Sequence, residues 1–77
     1  MSRAIIRATF RQGTLKRSET FDGVTLADAR MSLVEFLAND SPSASIERII
    51  ENANSLTRKN ATAHFSWWDI TVENVGG

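Results

Sequence analysis

The sequence predicts an α+β domain: a small single-layer sheet of three strands, in the order ββααβ, with two helices packed on one face. Three observations lead there. Residues from Arg3 to Gln12 alternate apolar and polar with a period of two. Between Leu26 and Leu56 the apolar residues recur at three- and four-residue intervals, and from Ala61 onward the alternation returns. A period of two marks a half-buried strand and a period near 3.6 an amphipathic helix.

Ala4, Ile6, Ala8 and Phe10 share one face of the first strand, and Arg3, Ile5, Arg7, Thr9 and Arg11 the other. Gln12-Gly13 supplies a two-residue hairpin turn, which sets Phe10 opposite Leu15 and Ala4 opposite Phe21. Asp22-Gly23 closes the second strand. Thr25 and Asp28 then have the spacing of a capping box, with Asp in place of Glu or Gln. Leu26, Ala29, Leu33, Phe36 and Leu37 form the apolar stripe of the helix that follows, which ends near Asn39-Asp40 because Pro42 disfavours helical geometry at Ser41. Ser41 or Ser43 caps a second helix that buries Ile46, Ile49, Ile50, Ala53 and Leu56, and Arg58-Lys59-Asn60 leads into the last strand.

That last strand, Ala61 to Val75, changes phase in its middle. Its apolar residues fall on Ala61, Ala63, Phe65 and Trp67, then on Trp68, Ile70 and Val72. A β-bulge at the Trp67-Trp68 step absorbs such a slip within one strand. On this reading Trp67 continues the face of Phe65 and belongs to the core, leaving Trp68 exposed to a partner.

The second strand, LKRSETF, is too polar for a sheet centre. The first strand is therefore central, with the last strand beside it and parallel to it. This order resembles the β-grasp arrangement, with a helical hairpin in place of the usual single helix, a likeness of topology from which no function follows. The alternative is an antiparallel meander in which the last strand pairs with the second.

Seventy-seven residues make one domain, residues 1–75, with 76–77 as a flexible tail. A chain this short buries only about 60% of its extended surface, so self-association would help it, and a homodimer is expected. Cysteine is absent, which excludes disulfides and thiolate metal sites and suits a reducing, cytoplasmic setting. No apolar run approaches membrane-spanning length, and no membrane partner is expected. Nine basic and nine acidic side chains balance, which argues against a dedicated nucleic-acid binder.

No cofactor or metal is expected. His64 is the only histidine, and Ser66, two residues on, makes a Ser/His pair without the orienting third group that catalysis needs. The chain is read as a non-enzyme. Arg3, Arg7, Arg11 and Lys16 share the outer face of the hairpin among hydroxyl residues, as a phosphate-contacting surface would require. The simpler reading is a solvated face whose arginines pair with Asp69 and Glu73.

These features lead to a small protein-binding module acting as regulator, adaptor or inhibitor, with Trp68, Trp67, Arg3, Arg7, Arg11 and Lys16 as the partner-binding residues. Compact stand-alone domains of this kind are common among phage and mobile-element proteins that block host enzymes or defence complexes. Two alternatives remain: a nucleic-acid-binding sheet using the basic hairpin face, and a subunit of a homo-oligomer joined through an open strand edge.

Overall fold

The computed structural model describes residues 3–41 and 43–76. The elements are β1 (Ala4–Gln12), β2 (Leu15–Gly23), α1 (Leu26–Asp40), α2 (Ile46–Asn54), β3 (Thr62–Phe65) and β4 (Trp68–Val75). The class is α+β, as the periodicities require. The sheet has four strands rather than three, all antiparallel to their neighbours, in the order β2-β1-β4-β3. Pro42, the expected helix breaker, lies outside the described residues.

The extra strand comes from the phase change near the C-terminus. The chain does not bulge at Trp67-Trp68; it reverses over Ser66-Trp67, and Phe65 and Trp68 become direct cross-strand partners. Residues flanking a two-residue turn are three apart and face the same side, so a hairpin shifts the apolar phase by one, just as a bulge does. The crossover through the helices delivers β3 to the far edge, running in the same direction as β1. The turn then sends β4 back into the gap between them. The last strand is thus beside β1 as expected, but antiparallel to it, so neither the β-grasp pairing nor a pairing with β2 forms. A bulge does occur in β4, further along, where Glu73 is the extra residue between the Ile5–Asn74 and Ile6–Val72 pairs.

The N-terminal hairpin turns on Gly13-Thr14, one residue later than expected. Gly13 has φ 61° and occupies the first central position, where a type II′ turn demands a positive φ. A turn on Gln12-Gly13 would force glutamine into that position. The register therefore moves by two residues, which preserves the faces and changes the partners: Phe21 lies opposite Ile6, and Arg17 opposite Phe10.

Helix α1 starts as its sequence dictates. The Asp28 N–H donates to the Thr25 hydroxyl at 3.3 Å, and the Thr25 N–H donates to the Asp28 carboxylate at 3.4 Å. Ala29, Leu33 and Leu37 pack onto the inner sheet face of Ala4, Ile6, Ala8, Ile70 and Val72. The start of α1 lies so close to the end of β2 that a Cβ on Gly23 would fall 2.5 Å from the Asp28 Cβ. Helix α2 begins after Ser45 instead of Ser41 or Ser43. It packs against α1 and β3 through a narrow stripe, burying Ile49 and Ala53, with Leu56 just beyond its end. Ile46 and Ile50, expected in the core, face solvent. Gly76, expected in a tail, bridges to Thr25. Among the described residues no helix is long and apolar enough to cross a membrane.

Candidate partner-binding site at the sheet tip

Both hairpin turns lie at the same end of the sheet, since Phe10 of β1 faces Arg17 on one side and Trp68 on the other. There the Arg11 N–H donates to the Trp67 carbonyl at 3.1 Å, drawing the second turn against β1. Ser66, at the first central position of that turn, has φ 54°. A left-handed conformation costs a non-glycine residue roughly 1 kcal/mol, and the surroundings must hold it.

The two tryptophans exchange the roles expected of them. Trp68 is buried to 1% exposure and Trp67 is 54% exposed. The Trp68 ring stands 5.1 Å from the ring of Phe10 and 5.3 Å from that of Phe36, nearly perpendicular to the latter. Its Nε1–H donates to the Asp40 carboxylate at 3.2 Å. The Arg17 guanidinium lies 5.8 Å from the Trp68 ring centre and within 4.0 Å of the same carboxylate. Trp68 thus joins the end of α1 to the sheet, and its burial removes it from the surface available to a partner.

The basic residues separate along the sheet. Arg3 pairs with Asp22 at 3.1 Å, at the end opposite the turns, roughly 26 Å from Arg11 at ~3.3 Å per residue. Arg7, in mid-strand, donates to Glu73 at 3.0 Å and to the Ser18 hydroxyl at 3.3 Å. Glu73 is therefore an arginine partner as expected. Asp69 is not: it holds the His64 Nδ1 at 2.7 Å across the β3–β4 pair. That histidine pair is exposed on both sides, and no group of three or more metal-ligating side chains occurs among the described residues.

Arg11 and Lys16 differ from the other two. They are directly opposite each other, and among the described residues no acid lies within ion-pairing distance of either. Like charges face to face across a strand pair repel. Leu15, 54% exposed beside the first turn, stands at the same tip on the opposite face of the sheet. Sequence reasoning missed Leu15 because it shares the register of the apolar face, yet no helix covers that face so close to the turn. The tip thus combines two exposed apolar side chains with two uncompensated cations.

No protein-family model, curated protein or solved structure matches the chain.

Proposed function

We propose that the protein is a non-enzymatic protein-binding module that acts as a regulator, adaptor or inhibitor, and that Trp67 at the sheet tip anchors the partner. The observation that carries this reading is the half-exposed indole on a turn that holds Ser66 in a left-handed conformation. A tryptophan set out on a rigid hairpin loses little entropy on binding, and tryptophan and arginine are enriched among the residues that dominate interface energies. Arg11 and Lys16 beside it favour a partner surface with an apolar pocket and an acidic rim, because uncompensated cations gain most from opposite charge.

The test is a capture from the native host with the intact protein, followed by titration of the purified partner against Trp67→Ala and Arg11→Glu. Trp67→Ala is expected to weaken binding by about 30-fold or more, corresponding to about 2 kcal/mol. Unchanged affinity in both variants would overturn the assignment to the tip.

The nucleic-acid reading draws support from the same two cations. With Arg3 and Arg7 engaged by acids, two phosphate contacts remain, which sets the slope of log K against log salt near −2. No binding to duplex DNA at physiological salt is expected. A saturable interaction with a clearly steeper slope would favour nucleic acid over protein.

A further inference from the structure

The helical layer carries a surface of the opposite character. On their outer side α1 and α2 leave an open groove of about 380 Å³, lined chiefly by Met31 and Val34 of α1, Ile50 and Ala53 of α2, and Glu35 at its margin. Met31 is 65% exposed and Ile50 43% exposed. Ile46, one turn before Ile50, extends the apolar stripe.

Acidic residues flank this stripe on both sides. At ~100° per residue, Glu35 lies ~40° from Met31 on the side away from Val34. On α2, Glu47 and Glu51 lie ~60° and ~100° from Ile50, away from Ala53. All three are exposed, and none has an ion-pair partner among the described residues. The cation lining the groove, Arg30, is held at the chain just beyond α2, where its Nη1–H donates to the Leu56 carbonyl at 2.8 Å.

We propose that this groove docks an amphipathic basic helix of a partner protein. The apolar stripe of that helix would lie over Met31 and Ile50, with lysines or arginines on its two flanks meeting Glu35 on one side and Glu47 and Glu51 on the other. The groove wall from Ala27 to Glu35 extends ~12 Å, about two helical turns, and takes two or three anchors at i, i+3 or i+4, and i+7. A helix suits it better than an extended strand, because helical walls offer no free backbone groups with which a strand could pair. A second copy fits poorly, since its own outer helical face would set Glu35, Glu47 and Glu51 against their counterparts. An anionic membrane surface is disfavoured by the same charges. The proposal concerns a surface separate from the sheet tip and does not rest on the tip's role.

The probe is a synthetic helical peptide of ~18 residues, long enough to hold a helix, with leucines along one stripe and lysines on both flanks. Two control peptides carry glutamate in place of lysine, or the same residues in an order that breaks the stripe. Titration into the full chain, followed by NMR at the Met31 methyl group, is expected to give a saturable shift for the lysine peptide alone, in the micromolar range and weakening with salt. The Glu47→Lys/Glu51→Lys and Ile50→Lys variants, all at solvent-facing positions, are expected to weaken it at least about tenfold while amide shifts across the sheet stay unchanged. The proposal is overturned by the absence of a saturable Met31 shift, by equal binding of either control, or by shifts confined to Arg11 and Trp67. A peptide-free dimer that Ile50→Lys converts to monomer in light scattering would also overturn it, by assigning the groove to a second copy.

Discussion

Trp67 and Trp68 are consecutive in the chain and nearly opposite in environment, one 54% and the other 1% exposed. Side-chain chemistry cannot separate two identical residues, so position alone does. Trp68 is the first residue of β4, facing inward opposite Phe65 and Phe10, with the end of α1 above it to supply Phe36 and the Asp40 carboxylate. Trp67 is the last residue of the turn and has no neighbouring layer. A tryptophan becomes structural where its ring meets apolar surface and its N–H finds an acceptor together. The pair therefore places one ring in the core and leaves its neighbour on the surface.

The largest expected effect breaks the buried half of the pair. Trp68→Ala is expected to destabilise the fold by about 3–5 kcal/mol, enough to unfold much of a small domain at room temperature, as circular dichroism melts will show. A loss below about 1 kcal/mol would mean that the Phe10–Trp68–Phe36 cluster does not hold the sheet to α1.

Asp40 sharpens the comparison by testing the acceptor apart from the ring. A carboxylate at a helix C-terminus opposes the helix dipole, and here the Trp68 N–H and Arg17 offset that cost. Asp40→Ala is expected to cost about 1–2 kcal/mol in urea titration and to cost nothing further once Trp68 is replaced by Phe. A more stable Asp40→Ala protein would show that the dipole term outweighs the hydrogen bond.

The two turns provide opposite signs. Gly13→Ala places a side chain at φ 61° and is expected to cost about 1 kcal/mol, whereas Ser66→Gly relieves φ 54° and is expected to gain up to about 1 kcal/mol. Thermal melts of both variants in one buffer decide this, and a destabilised Ser66→Gly protein would show that φ 54° at Ser66 holds no strain for glycine to relieve.

The smallest effect belongs to the exposed half. Trp67→Ala is expected to change folding free energy by less than about 0.5 kcal/mol in the same melts. Acrylamide should quench the Trp68→Phe protein, which retains Trp67, far more strongly than Trp67→Phe. Equal quenching would erase the contrast between the two rings.

Much of the architecture was legible because its causes are local. The capping box at Thr25 and Asp28 and the stripe through Leu33 and Leu37 involve residues within a few turns of each other, and both formed as expected. The N-terminal hairpin was legible in its existence and faces, but not in its register, because glycine takes the first turn position rather than the second. The exposure of Ile46 and Ile50 was not legible. Their spacing matches a buried stripe, and only the placement of α2 on α1 and the β3 edge shows how little surface there is to cover them. Of the basic residues, the sequence placed Arg3, Arg7, Arg11 and Lys16 on one face. It could not show that Asp22 and Glu73 engage the first two and leave the others uncompensated.

By itself the sequence determined the α+β class, the helix start at Thr25, the central position of β1 and the presence of one structural tryptophan. Each follows from periodicity, capping or the polarity of a short segment. Tertiary structure alone decided the fourth strand, its antiparallel direction and which tryptophan is buried. Ser66-Trp67 carries no glycine or asparagine to announce a turn. The turn forms there because reversal lets β4 hydrogen-bond to β1 on one side and β3 on the other, and because the contacts that bury Trp68 come from β1, α1 and β3, which meet only once the chain has folded.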